Sequence, residues 1–500
     1  LSTDRWYQTK VNENKILYCC FVDFKKAFDS IYRNGLWLKL HRSGIGGNIL
    51  RIIRDMYHKV KSCVRACNNY SELFEYALGL RQGEIMSPVM FSLYLEDLEL
   101  FLQDSVSSGL KIDDIVLILL LFADDMVILG DSPENLQNSL NLLGSYWDKW
   151  SLEVNALKTK VMVFRKRGRV LPNEMCMYNG NSKEVVNAFN YLGTVFKYTG
   201  TFALNKEHLV GKSLKASNVL LINCKKHKLK PKLACQLFDA FVGSILGYSS
   251  EIWGHGKSKE IERIHLKFCK SILNVRTSTS NVGVYGELGR YPLYIARYIK
   301  IMKYWFKLVR TDNILLKAMY KLSYADCLAG KNSWLTHVKQ LLCQNGYSYV
   351  WNQQDIYNDK LFIRCFKQRL IDNYYQSWNS DLEKSEVLQL YKNVKSEFCY
   401  EIYLDKLPFD LRTYICKIRL SAHNLHIQTG RYGRNRIPRP ERYCMYCTSR
   451  DVEDEYHFII KCPCFQSFRR KYIPRNYFVN PSMFKFVQLI KSEDIDIITN

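Results

Sequence analysis

No apolar run in this chain approaches the roughly 18 residues needed to cross a bilayer, and the longest, residues 115–122, stops at two aspartates. A membrane partner is therefore not expected. The chain also opens without the basic-then-apolar pattern of a secretory signal. Its 17 cysteines are odd in number and scattered, which argues against a disulfide framework and for reduced thiols in an intracellular compartment. Internal repeats and low-complexity linkers are lacking. Acidic residues are in deficit, with 48 against 72 basic ones and a formal charge of +24. That surplus favours phosphate backbones and points to a polyanionic substrate.

What is present describes a globular chain, 47% hydrophobic and 24% charged. Its length, 500 residues, exceeds what one core normally supports, so two to four domains are expected. Residues 16–22 read as a buried strand ending at Asp23. Gly44, Gly46 and Gly47 turn the chain into a helix whose Ile49, Ile52, Ile53 and Met56 share one apolar face. Residues 115–122 and 126–129 read as two strands on either side of an Ala123-Asp124-Asp125 turn. Ser132 and Pro133 suit the N-cap and first position of a helix carrying Leu136, Leu140 and Leu143. Residues 161–164 form a further strand, and a hairpin surrounds Tyr191-Leu192-Gly193. Beyond about residue 202 the pattern turns helical, near 205–223, 232–246, 258–273 and through 290–415. The fold class is α+β.

Asp23, Asp124 and Asp125 each end or adjoin an apolar strand. Burying such strand ends is costly unless the carboxylates find a cation or another partner. Three carboxylates brought together can hold two Mg²⁺ ions, which clamp the attacking and leaving oxygens of an in-line phosphoryl displacement. Side chains alternate along a strand, so Asp125 joins the other two only by lying in the turn. The alternative is a solvated Asp-Asp hairpin.

Five segments in chain order resemble the reverse transcriptases of non-LTR (LINE-type) retrotransposons. Residues 21–29, Phe-Val-Asp-Phe-Lys-Lys-Ala-Phe-Asp, resemble their motif A, and residues 79–88, Gly-Leu-Arg-Gln-Gly-Glu-Ile-Met-Ser-Pro, their motif B. Phe122-Ala123-Asp124-Asp125 resembles motif C, residues 150–160 with Asn155 and Lys158 motif D, and residues 189–193 motif E. The resemblance implies a right-hand polymerase. Its palm with partial fingers would occupy 1–200, a helical thumb 201–289, a helical connector 290–415, a small zinc-binding unit 416–475 and a tail 476–500. Because motifs begin soon after Leu1, without the upstream fingers motifs, the chain reads as N-terminally truncated.

By the same resemblance, Asp23, Asp124 and Asp125 are the catalytic Mg²⁺ ligands. Phe28 is the gate beneath the incoming sugar or, alternatively, a core aromatic on a short helix, and Gln82 and Gly83 lie against the nucleotide and template. Arg81 reaches phosphate or, alternatively, solvent. Lys158 neutralises or protonates the leaving pyrophosphate or, alternatively, is only surface charge. The implied partners are an RNA template, a DNA primer or target DNA, and deoxynucleoside triphosphates, with the nucleus as the expected location. A protein of polymerase descent that only binds nucleic acid is the competing reading. The elements that a maturase or a telomerase would need are not visible.

A second constellation lies near the C-terminus. Cys444, Cys447, His457 and Cys462 follow the pattern C-x2-C-x9-H-x4-C, a soft donor set suited to one closed, structural Zn²⁺ site. Cys464 is an alternative to Cys462. Five arginines within 431–442 form a flank for phosphate contact or base stacking, or else a solvated basic edge. Lys225, Lys226, His227, Lys228, Lys230 and Lys232 form a basic knot that suits a thumb on a duplex backbone or an exposed interhelix loop.

Overall fold

The computed structural model describes residues 15–67, 69–105, 109–112, 114–166, 176–178, 180–432 and 436–491. It divides into two units, Leu1–Asn205 with Leu308–His337, and Lys206–Lys307 with Val338–Asn500.

The first unit begins with β1 (Leu17–Val22), α1 (Arg33–Arg42) and α2 (Gly47–Met56). A ribbon of short strands follows, β2 (Lys61–Ser62), β3 (Arg65–Ala66), β4 (Asn69–Tyr70) and β5 (Phe74–Glu75). Next come α3 (Ser87–Tyr94), α4 (Leu98–Ser105), β6 (Leu110–Ile112), β7 (Ile115–Leu117), β8 (Leu119–Phe122) and β9 (Asp125–Gly130). Then α5 (Pro133–Trp150) and β10 (Lys160–Phe164) precede two hairpins, β11 (Met177–Tyr178) with β12 (Asn181–Ser182), and β13 (Ala188–Tyr191) with β14 (Thr194–Lys197).

The main sheet is antiparallel with order β10-β1-β9-β8. All six residues of β1 are buried because both of its faces are covered. Tyr18, Cys20 and Val22 enter a core with Leu36, Leu40, Phe91, Leu136, Leu140 and Leu143. Leu17, Cys19 and Phe21 enter a second core with Val127, Leu129, Met162, Phe164 and Tyr191. Ala318 and Met319, from the helix Ile314–Leu328, complete that second face. Two covered faces explain why β1 reads as a continuous apolar run instead of an alternating one. At the start of α5, the Ser132 hydroxyl accepts the Asn135 N–H as the sequence predicts.

Two local expectations need correction, and one expected apolar face forms with partial cover. The apolar face of α2 is only partly covered: Ile53 is buried and Met56 half-buried, while Ile49 and Ile52 are exposed. Spacing sets which residues share a face, not how much of it a neighbour covers. Residues 115–122 are not one strand. The run breaks at Ile118, so that β7 pairs with β6 and β8 with β9. Asp125 is not in the turn but opens β9, paired with Phe122.

The second unit is helical where expected, with Ala203–Lys226, a segment from Pro231 to Leu246 that passes through a π-turn at Phe238–Gly243, and Lys259–Ile272. No helix among the described residues is long and apolar enough to cross a membrane. Its interior holds an ion-pair network. Glu287, fully buried, accepts from Arg419 Nε at 2.7 Å and from the Tyr403 hydroxyl, and Arg419 also meets Glu401 at 2.8 Å. Lys395 pairs with Glu401 in turn. Removing one member strands the charge of the others in a low-dielectric interior. Glu287→Ala is therefore expected to destabilise this unit by about 3–5 kcal/mol, read as a lower denaturant midpoint.

Candidate active site and candidate metal centre

Register brings the first two carboxylate segments together. β1 pairs Val22 with Met126, and one step further along the same antiparallel register sets Asp23 beside Asp125. Asp124 lies in the two-residue turn between β8 and β9, after Ala123 at φ 52°, a left-handed conformation more often given to glycine. Burial, then the charges of Asp124 and Asp23, raises the Asp125 pKa. Asp125 therefore feels both of the other carboxylates.

Asp23 is held by its backbone. Its N–H donates to the Thr159 hydroxyl at 3.2 Å, and its carbonyl accepts from Asn155 N–H at 2.7 Å. Among the described residues, Asp23 Oδ2 is buried without a hydrogen bond. Lys158 Nζ stands 3.7 Å from that oxygen, an ion-pair distance too long for a hydrogen bond, so the two observations agree. A buried carboxylate oxygen with only a distant cation is suited to receive a metal ion. Tyr191, beneath this corner, has its pKa raised to about 12 by burial and by the Asp125 charge.

The 79–88 segment is tied directly to the end of the 21–29 segment. Leu80 N–H donates to Phe28 C=O at 2.7 Å, and Gln82 Nε2 donates to Asp29 Oδ1 at 3.1 Å. Gly79, at φ +77°, leaves no room for a side chain, since a Cβ there would lie 2.6 Å from the Asp29 carbonyl oxygen. Phe28 is half-buried, its ring 5.0 Å from that of Phe91. Gly83 is exposed with open space around it. Arg81 turns inward, donating to Met56 C=O at 2.5 Å with its guanidinium over the Tyr57 ring. Sequence reading assigned no role to Thr159 or Asp29, although both fall within quoted segments. Only the long-range pairing exposes what they hold.

The C-terminal cluster assembles with equal economy. The donor atoms of Cys444, Cys447, His457 and Cys462 all lie within 4.8 Å of one another. Cys444 Sγ is 3.9 Å from Cys462 Sγ, and Cys447 Sγ is 3.4 Å from His457 Nε2. Ser449, through its hydroxyl and backbone, lowers the Cys447 thiol to about 6, while burial pushes Cys462 up to about 12. Asp451 Oδ2 faces the other ring nitrogen, His457 Nδ1, at 3.4 Å, where it can orient the imidazole. Cys464 lies outside the set, exposed, with its thiol donating to Tyr446 C=O at 2.8 Å. The cluster can coordinate one metal ion. Of the basic flank beside it, Arg434 lies outside the described residues, and Arg442 donates to the Ile427 and Ile437 carbonyls.

Comparison with known proteins places the first site in context. Residues 3–196 match the family model described as reverse transcriptase (RNA-dependent DNA polymerase). The RNA-directed DNA polymerase from mobile element jockey of Drosophila funebris is 22% identical over 265 residues, 51% of this chain and 28% of the relative. The retrovirus-related Pol polyprotein from type-1 retrotransposable element R2 of Popillia japonica is 25% identical over 189 residues, 36% of this chain and 30% of the relative. The chain spans less than a third of the length of these relatives. A solved apo telomerase from Candida Tropicalis shares 13% identity across 73% of this chain and 54% of that one, at a TM-score of 0.31, too slight a likeness to bear on function.

Proposed function

We propose, from the premise that residues 3–196 belong to the reverse transcriptase family, that the chain is the polymerase part of a non-LTR retrotransposon protein. It adds deoxynucleotides to a DNA 3′-hydroxyl on an RNA template. The observation that carries this reading is the register that sets Asp23 beside Asp125, with Asp124 in the adjoining turn. Two Mg²⁺ ions held there would activate the attacking hydroxyl and stabilise the leaving pyrophosphate. Asp23, Asp124 and Asp125 would hold that charge, and the buried Asp23 Oδ2 supplies a hard oxygen with no hydrogen bond among the described residues.

The remaining roles follow from position. Phe28 bounds the space beneath the incoming sugar, and the Gln82–Asp29 bond keeps Gln82 and Gly83 beside it. Lys158, exposed and 3.7 Å from Asp23, neutralises the pyrophosphate. Segment 201–289 acts as the thumb and 290–415 as a connector. The partners are an RNA template, a DNA primer or target, and deoxynucleoside triphosphates, and the nucleus is the proposed location. Phe28→Val is expected to raise ribonucleotide incorporation relative to deoxyribonucleotide at least about tenfold, because a smaller side chain admits the 2′-hydroxyl. Competition assays with both triphosphates would measure it.

The Cys/His cluster holds one structural Zn²⁺. Tetrahedral bonding at about 2.3 Å to sulfur and 2.0–2.1 Å to nitrogen sets sulfur–sulfur edges near 3.8 Å and sulfur–nitrogen edges near 3.6 Å. The 3.9 Å and 3.4 Å separations match both edges. Four protein donors leave no open position for catalysis.

The test of the polymerase reading is extension of a DNA primer on an RNA template by the full chain with Mg²⁺. Product formation supports the reading. Salt-sensitive binding of primer–template without any product would leave a nucleic-acid binder of polymerase descent.

A further inference from the structure

A cavity of about 690 Å³ opens between α1, α2 and the base of the β2–β5 ribbon, and none of the carboxylate-site residues lines it. Its floor is Arg33, only 7% exposed. The Arg33 guanidinium donates to the carbonyls of Gly79, Tyr57, Tyr76 and Leu78 at 2.9–3.2 Å. No carboxylate among the described residues pairs with it. Carbonyl dipoles satisfy its hydrogen bonds but leave a whole positive charge beneath the cavity, and arginine does not deprotonate in proteins.

The rim adds to that field. Arg51, Arg54 and Lys59 are exposed, line the cavity, and form no ion pair among the described residues. The acidic lining is Asp55 and Glu75, and Glu75 already faces Lys61 at 3.9 Å. Aromatic surface is also on offer, from the exposed Tyr32 and the half-buried Trp37. Cations with accessible aromatic faces are the chemistry of a single strand, whose backbone follows the charge while its unpaired bases stack. A paired duplex cannot present its base faces to a concave basin.

We propose that this basin binds an unpaired nucleic-acid strand, with phosphates on Arg51, Arg54 and Lys59 and bases against Tyr32 and Trp37, as a site separate from the carboxylates. The choice of nucleic acid over an acidic peptide rests on the polymerase reading above.

The experiment is photo-crosslinking of the full chain to single-stranded RNA and DNA 12-mers carrying 4-thiouridine or 4-thiothymidine. Saturating primer–template is present, and crosslinked peptides are mapped by mass spectrometry. Crosslinks are expected within 32–37 and 57–78, persisting with primer–template and falling about tenfold in Arg51→Glu/Arg54→Glu. Both substitutions are at exposed positions, and circular dichroism would verify the fold. A preference for one sugar would identify which strand the basin serves. The proposal fails if these peptides are not labelled, if charge reversal leaves the yield unchanged, or if primer–template displaces the label. Equal displacement by poly-glutamate would assign the basin to an acidic peptide instead. Working primer extension without these crosslinks overturns this site alone, while crosslinks without extension overturn the polymerase reading alone.

Discussion

Asp124→Asn is expected to reduce primer extension at least about a thousandfold, equivalent to about 4 kcal/mol of transition-state stabilisation. The same change should leave the thermal midpoint equal or slightly higher. The sign follows from the carboxylates themselves. Asp124 is one of the two neighbouring charges that raise the Asp125 pKa. Deleting its charge relieves repulsion that the metal-free fold otherwise carries, and it weakens the hold on Mg²⁺. A structural role predicts the reverse pattern, with stability and activity falling together. The pair of measurements, extension rate and melting in metal-free buffer, therefore separates catalysis from packing. Full activity in the Asp124→Asn chain would end the two-metal assignment.

Metal removal should have the second-largest effect. Zinc contributes about 10–16 kcal/mol to the folding of zinc-finger peptides near neutral pH, so a strong chelator is expected to unfold the region around Cys444–Cys462. Hydrogen exchange of peptides within 440–465 would report it, while β1 and β9 should keep their protection. Elemental analysis should find one zinc per chain, none after Cys462→Ser, and one still after Cys464→Ser. The last variant matters because the Cys464 thiol is turned to the Tyr446 carbonyl and away from the cluster. Loss of zinc in Cys464→Ser would show that this cysteine exchanges into the site.

Much of the architecture is legible from local patterns. The apolar run 16–22 becomes β1, Ser132-Pro133 starts α5, and the helices expected near 205–223 and 258–273 form as Ala203–Lys226 and Lys259–Ile272. These elements follow from periodicity and capping, which act within a few residues. The metal-binding pattern is equally local in its first pair, Cys444 and Cys447. The errors arise where an outcome depends on a distant partner. Spacing puts Ile49 and Ile52 on the apolar face of α2, yet how much of that face a neighbour covers is set by the fold, which leaves both more than half exposed. The 115–122 run reads as one strand because periodicity cannot register that β7 and β8 serve different sheets.

The sequence alone determined the chemistry that is available: carboxylates at strand ends, soft donors at zinc spacing, and a basic surplus without a membrane-spanning run. Tertiary structure decided how those groups meet. Asp23 reaches Asp125 only through antiparallel pairing across about a hundred residues, the Cys464 thiol faces the Tyr446 carbonyl and not the donor set, and Arg33 is buried against four converging carbonyls with no carboxylate paired to it among the described residues. The reason is the range of the forces involved. Propensity and periodicity operate over a turn or a strand, whereas register, coverage and charge compensation depend on segments that only folding makes neighbours.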